Sequence, residues 1–353
     1  MATFSHCVFI GRFQPFHNAH FEVLKQALSE AERVVIVIGS SRAAPSIRNP
    51  FSFERRKEMI LSTLTPAERA RVDICGVRDY YFSDNLWLTD VQRAVSEVTR
   101  EAGDIALIGA YKDETSYYVK LFPQWQFVPA RTKRDLSSTS IRQRLFTAPQ
   151  AGPGFDDKSP GAWHLDVPTA IAQNIRDKFI NTEDFTRLRR EFEYIEGYRK
   201  QWAGAPFPPT FVTVDAVVVQ SGHVLTVTRR IEPGKGLLAL PGGFTRQDER
   251  LEDAMLRELK EETRIKVHKN DLRRAIVSSR VFDYPQRSLR GRTITHAYYI
   301  DLGGGELPEV KGGDDAGHAR WMPLMDVALN EDRFFEDHAH IIFAFMSERA
   351  TRA

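Results

Sequence analysis

The first part of the chain alternates between short apolar runs and an amphipathic segment. Residues 6–11 and residues 34–38 are nearly continuous apolar stretches, and a glycine closes each of them. Between them, residues 19–30 carry the apolar spacing of a helix. Strand, helix and strand in this order predict a right-handed βαβ unit with a parallel sheet. A third strand is predicted over residues 104–109, and ligands are expected beyond the carboxyl ends of these strands.

The last part of the chain has a different pattern. Residues 215–219 and 223–229 predict two strands of a hairpin around Ser221-Gly222, and residues 293–300 predict a further strand. From Leu251 onward the composition is helical, rich in Leu, Ala, Glu, Lys and Arg. The chain is therefore α/β in class.

Two helical patterns lie between these parts, over residues 168–180 and 183–202. The second is rich in charge and keeps apolar residues at helical spacing, which is typical of a helix with one buried face. We interpret it as the inter-domain helix. The predicted boundaries are a first domain over residues 1–182, a helical linker over residues 183–209 and a second domain over residues 210–353.

Composition narrows the class of protein. The 353 residues are 42% hydrophobic and 27% charged, which is typical of a globular protein of about two domains. A net charge of +2 gives no support for bulk binding of nucleic acid. Cys7 and Cys75 are too few for a disulfide framework or a zinc site. With no secretory or membrane-spanning run, we expect a cytoplasmic enzyme with no membrane partner.

The loop after the first strand carries the first candidate chemistry. His17 and His20 are three residues apart, so both rings can share one side of the first helical turn. Backbone N–H groups at a helix start favour anions, and with Arg12 the pair would form a cradle for phosphate. A single satisfied surface histidine is the alternative reading. A metal site is disfavoured because no nearby Cys or carboxylate completes a ligand set.

Hydroxyl residues precede another short helical pattern near Arg142. The run Leu136-Ser137-Ser138-Thr139-Ser140-Ile141-Arg142 can cap that helix, and its N–H groups and Arg142 can face an anion. Capping alone is the common use of such residues.

Taken together, these stretches resemble the nucleotidyltransferase superfamily, whose pattern is His-x-Gly-His. GRFQPFHNAH is similar to the archaeal-type nicotinamide mononucleotide adenylyltransferases, with Ala19 at the usual Gly position. Residues 49–56 and 112–118 also resemble segments of that family. The resemblance implies a Rossmann-like parallel-sheet domain that uses ATP and nicotinamide mononucleotide to make NAD.

The resemblance also assigns residues. It implies catalytic roles for Arg12, His17, His20 and Arg142, and contacts with ATP and its phosphates from Gly11, Phe13, Ser137, Thr139, Ile141 and Arg142. It implies that Asn85 and Trp87 recognise the nicotinamide ring. For Trp87, the residue types alone leave open a simpler role as a core side chain.

The second domain carries an acidic helix pattern. Gly243, Glu249, Arg257, Glu258, Glu261 and Glu262 have the spacing Gly-x5-Glu-x7-Arg-Glu-Leu-x-Glu-Glu. On a helix the last three carboxylates share one face, where a divalent cation would offset their repulsion. Mg²⁺ suits such oxygen ligands, with Mn²⁺ as an alternative. The alternative is a solvated acidic face of the helix, which would be the better interpretation if only a single pair of glutamates were present.

This spacing resembles the Nudix box, the signature of hydrolases that cut a nucleoside diphosphate linked to another group. The resemblance implies an α/β/α domain with a mixed sheet, metal ligands at Glu258, Glu261 and Glu262, and catalytic roles for Glu261 and Glu262. Arg264 departs from the usual Gly, a position that commonly adopts a left-handed conformation. The departure leaves the carboxylates intact.

A turn rich in arginine follows the box. Arg287, Arg290 and Arg292 flank Gly291 and can pair with phosphate or carboxylate, although a solvated basic loop has the same charge. The segment resembles Nudix proteins joined to this type of adenylyltransferase, which implies that these arginines bind ADP-ribose.

We therefore expect a bifunctional enzyme of NAD metabolism. One domain would transfer AMP from ATP to nicotinamide mononucleotide, and the other would hydrolyse ADP-ribose to AMP and ribose 5-phosphate. Two alternatives stay open: the first domain could use another phosphate acceptor, and the second could be a silent sensor of NAD metabolites. A homo-oligomer is compatible with the sequence, which does not determine the oligomeric state.

Overall fold

The computed structural model describes residues 3–100, 103–109, 121–132, 134–148, 162–313 and 316–352. The chain divides into two compact units, Met1–Arg189 and Arg190–Ala353, and each is described by itself. Within the described residues, no helix is both long and apolar enough to cross a membrane.

The first unit contains a five-stranded parallel sheet in the order β3-β2-β1-β4-β5. Its elements are β1 (Phe4–Gly11), α1 (Asn18–Glu30), β2 (Ala31–Ile38), α2 (Phe53–Ser62), α3 (Pro66–Arg69), β3 (Val72–Gly76), α4 (Asp84–Thr99), β4 (Ile105–Gly109), β5 (Gln126–Pro129), α5 (Ser138–Thr147) and α6 (Thr169–Ile175). The predicted βαβ unit and its parallel sheet are confirmed.

The apolar runs explain this sheet. In β2, residues 34–38 are all fully buried, so this part of the strand has no exposed face. Strands covered by helices on both faces read as continuous apolar runs, because neither set of side chains meets water. The carboxyl ends of β1 and β2 are adjacent, since Gly11 pairs with Ile38. The loops that follow these strands therefore start from one edge of the sheet.

Helix α7 (Glu183–Gln201) follows a short π-helical turn at Arg176–Ile180. The predicted single helix over residues 168–180 is thus α6 followed by this turn. Helix α7 contains the boundary between the two compact units, which falls after Arg189.

The second unit contains a mixed sheet in the order β10-β11-β6-β7-β12, with β8 paired to β7 and β9 paired to β6. Its elements after α7 are β6 (Thr210–Gln220), β7 (His223–Arg229), β8 (Leu238–Ala239), β9 (Gly242–Phe244), α8 (Leu251–Thr263), α9 (Lys269–Arg274), β10 (Ile276–Phe282), β11 (Arg292–Asp301), β12 (Ala316–Pro323), α10 (Leu324–Leu329) and α11 (His338–Arg352).

Local signals in the sequence account for two of its features. The predicted hairpin between β6 and β7 turns at Ser221 and Gly222, both with positive φ, as a two-residue hairpin of the right twist requires. Helix α8 buries Met255, Leu256 and Leu259 against the sheet, which leaves its acidic side chains on the other faces. The mixed sheet predicted for the second domain is confirmed.

Candidate active sites

His17 and His20 lie at the start of α1 with their rings stacked. The ring centroids are 3.5 Å apart and the planes differ by 14°. The Nδ1 of His17 accepts from the N–H of His20 at 3.4 Å, and the Nδ1 of His20 accepts from the N–H of His17 at 3.3 Å. Since each Nδ1 accepts, each neutral ring carries its proton on Nε2. Both Nδ1 atoms are thus engaged by backbone N–H groups, at a helix start whose dipole favours an anion.

Gly11 and Phe13 form the wall behind His20. Phe13 has a left-handed φ of 53°, and its buried ring folds back over Gly11. A Cβ atom at Gly11 would lie 2.7 Å from that ring, so the close approach requires glycine. The Phe13 ring meets His20 edge to face at 5.0 Å. Ala19, at the usual Gly position, is buried in the unit.

Arg142 joins α5 to the loop after β1. Its Nη1 donates to the Gln14 carbonyl at 2.7 Å, its Nε to the Ile47 carbonyl at 3.0 Å, and its Nη2 to the Thr139 hydroxyl at 3.2 Å. None of these three acceptors carries a charge. The guanidinium is therefore fixed in place without being neutralised by them.

Three further arginines, Arg12, Arg48 and Arg56, lie near this group. Burial, and then the charges of Arg12 and Arg48, lower the pKa of Arg142 to about 10, so it remains charged at neutral pH. Arg56, which the sequence analysis did not single out, is buried and donates to the carbonyls of Arg12 and Gly39, both at 2.7 Å. Its position in the segment 49–56, which resembles the family, was the available signal.

The start of α5 lies beside the same loop, because the Ser138 hydroxyl donates to the Pro15 carbonyl at 3.1 Å. Ser137 caps the helix by accepting from the Thr139 N–H at 3.3 Å. Ile141 is fully buried, and its N–H donates to the Ser137 carbonyl. Ile141 therefore supports the helix from the core, whereas the exposed Thr139 lies on its outer side.

Asn85 and Trp87 lie in the first turn of α4, after the carboxyl end of β3. Asn85 is exposed, whereas Trp87 is half-buried, with its ring 6.0 Å from that of Phe122 in the core. Trp87 thus has core contacts and remains partly open to a ligand. Residues 112–118, part of the predicted adenylyltransferase pattern, lie outside the described residues.

In the second unit, Arg257 joins the acidic side chains of the box. It donates to both carboxylate oxygens of Glu249, at 2.6 and 3.0 Å, to Glu258 at 2.7 Å and to Glu261 at 3.0 Å. Hydrogen bonds from Arg257 lower the pKa of Glu249 to about 2. Across the described ranges, no three His, Cys, Asp or Glu side chains are gathered as a metal site. Arg257 holds Glu258 and Glu261 in this arrangement.

A cavity of about 250 Å³ lies beside the box. Its lining combines carboxylates, arginines and apolar side chains: Thr213, Asp215, Val227, Arg229, Ile231, Ala239, Leu240, Gly242, Gly243, Phe244, Glu258, Glu262, Arg287, Arg290, Phe335, Glu336 and His338. Glu258 and Glu262 line this cavity, but Glu261 does not. A Cβ atom at Gly243 would lie 2.8 Å from the Glu258 carboxylate, so the box glycine permits that contact.

Burial disfavours the charged form of both box glutamates that line the cavity. The Glu262 carboxylate accepts from the Gly242 N–H at 3.0 Å, yet burial raises its pKa to about 8, and the charge of Glu258 adds to the rise. Burial also raises the pKa of Glu258, although Arg257 opposes the shift. Two desolvated carboxylates at one cavity fit an oxygen-preferring divalent cation.

Arg264 ends helix α8 in the left-handed conformation that the motif position requires, with φ 47° and ψ 28°. Its N–H donates to the Lys260 carbonyl at 2.9 Å. The N–H groups of Lys311 and Gly313 donate to the carbonyls of Thr263 and Glu262, at 2.8 and 3.0 Å. The helix end is thus satisfied without glycine.

The three predicted ADP-ribose arginines have different surroundings. Arg287 is 3% exposed and forms a bidentate ion pair with Asp337, both bonds being 2.8 Å long. Arg292 donates to the Asp283 carbonyl and lies outside the cavity lining. Arg290 lines the cavity, stacks on Phe244 at 5.1 Å, and has a buried Nε with no hydrogen-bond partner among the described residues.

The structure thus separates three arginines that are alike in sequence, and their binding of ADP-ribose stays a prediction. The Arg287 charge is neutralised by a carboxylate 50 residues away, and Arg292 is directed to its own loop. Arg287 and Arg290 both line the cavity, and of the two only Arg290 keeps a buried Nε–H with no partner among the described residues.

Arg229 and His338 were missed by the sequence analysis. The Arg229 guanidinium lies 4.0 Å from the Phe335 ring centroid and lines the cavity, although Arg229 belongs to none of the predicted motifs. Burial, and then the charge of Arg290, lower its pKa. Burial lowers the pKa of His338 to about 4, and its Nδ1 accepts from the Leu240 N–H at 2.9 Å. The only sequence signal for Arg229 was its place at the end of a predicted strand, before a loop that contains Pro233 and Gly234.

Comparison with known proteins matches both units. Residues 8–144 match the Cytidylyltransferase-like family and residues 209–345 match the NUDIX domain family. The nicotinamide/nicotinic acid mononucleotide adenylyltransferase of Acinetobacter baylyi is 38% identical over 147 residues, 41% of this chain and 78% of that protein. The ADP-ribose pyrophosphatase of Methanocaldococcus jannaschii is 36% identical over 130 residues, 36% of this chain and 72% of that protein.

One solved structure matches nearly the whole chain. The crystal structure of a bifunctional NMN adenylyltransferase/ADP-ribose pyrophosphatase from Francisella tularensis, complexed with AMP and a manganese ion, has 37% sequence identity and a TM-score of 0.87. The match covers 98% of this chain and 99% of that one. The chain therefore belongs to the enzyme family in which a nicotinamide mononucleotide adenylyltransferase is joined to a Nudix ADP-ribose pyrophosphatase.

Proposed function

We propose that the first unit transfers AMP from ATP to nicotinamide mononucleotide, and that the second unit hydrolyses ADP-ribose with the help of a divalent cation, Mg²⁺ or Mn²⁺. The observation that carries the proposal is a site in each unit that matches its family in chemistry. Stacked His17 and His20 lie at a helix start near fixed arginines, and buried Glu258 and Glu262 line a cavity with Arg229 and Arg290.

In the first reaction, a phosphate oxygen of the mononucleotide attacks the α-phosphorus of ATP. A new P–O bond forms, the bond to the β-phosphate oxygen breaks, and NAD and pyrophosphate result. The attacking phosphate is already ionised, so no strong base is needed and catalysis depends on positioning and charge. The Nε2–H groups of His17 and His20, with Arg12 and Arg142, would stabilise the negative charge on the transferring phosphate.

The first unit would select its acceptor through α4. The exposed Asn85 amide would read the carboxamide of the nicotinamide ring, and the open side of Trp87 would stack on it. The contact between Trp87 and Phe122 would hold the indole in place for that stacking.

In the second reaction, water attacks one phosphorus of ADP-ribose, the P–O–P bond breaks, and AMP and ribose 5-phosphate result. Glu258, Glu261 and Glu262 would hold the cation, which would supply Lewis-acid stabilisation of the charge that develops on the diphosphate. Arg229 and Arg290, each stacked on an aromatic ring, would bind the diphosphate.

Purified protein assayed separately with ATP plus nicotinamide mononucleotide, and with ADP-ribose plus Mg²⁺ or Mn²⁺, tests the proposal. NAD with pyrophosphate in the first assay and AMP with ribose 5-phosphate in the second are the expected products. Binding of ADP-ribose without cleavage would identify the second unit as a sensor. Transfer of AMP to another phosphate acceptor, but not to the mononucleotide, would overturn the first assignment.

A further inference from the structure

Residues 190–201 of α7 belong to the second compact unit, although the NUDIX match begins only at residue 209. This part of the helix contacts both loops beside the hydrolase cavity. The first is the β7–β8 loop, residues 230–237, and the second is the β10–β11 loop, residues 283–291. The cavity-lining Ile231 and Arg290 lie on these loops.

Glu191 is the contact with the β7–β8 loop. It is 2% exposed, and its Oε2 accepts from the Gly234 N–H at 3.2 Å. Gly234 has a φ of 77°, and a Cβ atom there would lie 2.2 Å from the Phe335 ring. Phe335 in turn lies under the Arg229 guanidinium at 4.0 Å. A buried carboxylate on α7 thus fixes the loop that packs behind Arg229.

Arg199 is the contact with the β10–β11 loop. Its Nη2 donates to the Leu289 carbonyl at 2.7 Å, next to Arg290. Its Nη1 donates to Glu196 at 3.0 Å, so the guanidinium is oriented from its own helix. The carbonyl contact restricts the backbone that carries the cavity arginine.

A series of aromatic contacts connects the same helix to the other side of Arg290. Tyr198 lies 5.6 Å from Phe211, between ring centroids. Phe211 lies 5.9 Å from Phe244, on which Arg290 stacks. Arg290 is therefore supported through Phe244 and through the Leu289 backbone, and both routes lead to α7.

We propose that residues 190–201 contribute to the hydrolase site. Glu191 and Arg199 are positioning residues that hold the two cavity loops in the conformation that binds the diphosphate. This inference rests on the proposed ADP-ribose hydrolysis. Neither residue lines the cavity. Each acts through a loop, so its loss should weaken substrate binding more than the chemical step.

Full-length variants test the proposal. Glu191→Ala removes the acceptor for Gly234 and should raise the KM for ADP-ribose about tenfold, with kcat changed less than about threefold. Glu191→Gln keeps an acceptor oxygen and should restore most of the loss. Glu193→Ala, an exposed glutamate on the same helix, is the matched control.

Arg199→Ala provides a second test that does not depend on a buried site, with exposed Lys200→Ala as its control. It should raise the KM about threefold, while NAD synthesis stays unchanged. Hydrogen exchange provides a readout without substrate. Amides of residues 230–237 should exchange faster in Glu191→Ala than in wild type, and Glu193→Ala should match wild type.

Unchanged KM in both Glu191→Ala and Arg199→Ala, beside an active wild type, would overturn the proposal. So would a loss of kcat at constant KM. If wild type does not cleave ADP-ribose, the proposed function fails, and the exchange experiment still decides whether α7 positions the loop.

Discussion

Replacing Glu262 by Gln should separate stability from catalysis in the second unit. Glu262 is buried beside Glu258 and Asp215, and it accepts a hydrogen bond from Gly242. Gln has nearly the same shape and keeps an acceptor oxygen for that bond. The change therefore removes the charge while leaving the packing and the hydrogen bond in place.

The magnitude follows from the pKa of Glu262, which rises from 4.5 to about 8 on folding without a cation. The folded state binds the proton more tightly, so stability is highest below pH 4.5 and falls as the pH rises to 8. At pH 7 the cost is on the order of 3 kcal/mol, from about 1.4 kcal/mol per pH unit. Without a cation, Glu262→Gln should be more stable than wild type by this order, and the difference should vanish near pH 4.

Hydrogen exchange over residues 251–263 measures this stability within the second unit alone. The measurement is made in a chelator at pH 4.5, 7 and 8. Glu252→Gln, at a 42% exposed position paired with Arg273, is the matched control; it keeps Glu262, so its pH dependence should equal that of wild type. Added Mg²⁺ should stabilise wild type but not Glu262→Gln. ADP-ribose hydrolysis by Glu262→Gln should fall about a hundredfold or more, while NAD synthesis continues.

Two results would refute this reasoning. Glu262→Gln could be less stable than wild type at pH 8 in the chelator, which would mean that the carboxylate contributes a favourable charge. Alternatively, its pH dependence could equal that of wild type, which would assign the burial cost to another group.

The remaining predictions concern single side chains. His20→Ala should reduce adenylyl transfer at least about a hundredfold, as measured by NAD formation, with ADP-ribose hydrolysis near normal; equal loss of both in a folded variant would contradict separate sites. Trp87→Ala should raise the KM for the mononucleotide much more than that for ATP, and a parallel rise would show a core role. Arg264→Gly should change hydrolysis less than about threefold, since glycine accepts the same left-handed backbone. If wild type binds ADP-ribose without cleaving it and Arg264→Gly gains cleavage, the second unit is a sensor.

The strands and helices were predictable because their signals are local. The buried run at residues 34–38 and the carboxylate spacing on α8 each depend on neighbours within one or two turns. The exact residue at which a helix ends was less predictable. The pattern over residues 168–180 does not distinguish an α-helix from the π-helical turn that follows Ile175.

The partners of long charged side chains were not predictable. The sequence of the loop does not distinguish Arg287 from Arg290. Only the fold brings Asp337 next to Arg287. The same holds for Arg229, whose stacking on Phe335 joins positions 106 residues apart. For Glu261, helical spacing correctly predicts proximity to Glu258 but not that Arg257 would hold both.

The acceptor that an arginine finds decides whether its charge remains available to a ligand. The hydrogen bonds of Arg142 end on two carbonyls and a hydroxyl, which orient the guanidinium but leave its full positive charge. Those of Arg287 end on a buried carboxylate, so the pair is close to neutral and serves the fold. Arg290 stacks on an aromatic ring and keeps both its charge and its Nε–H. By this criterion the charges of Arg142 and Arg290 stay available to a ligand whereas that of Arg287 does not, and residue type alone could not have separated the three.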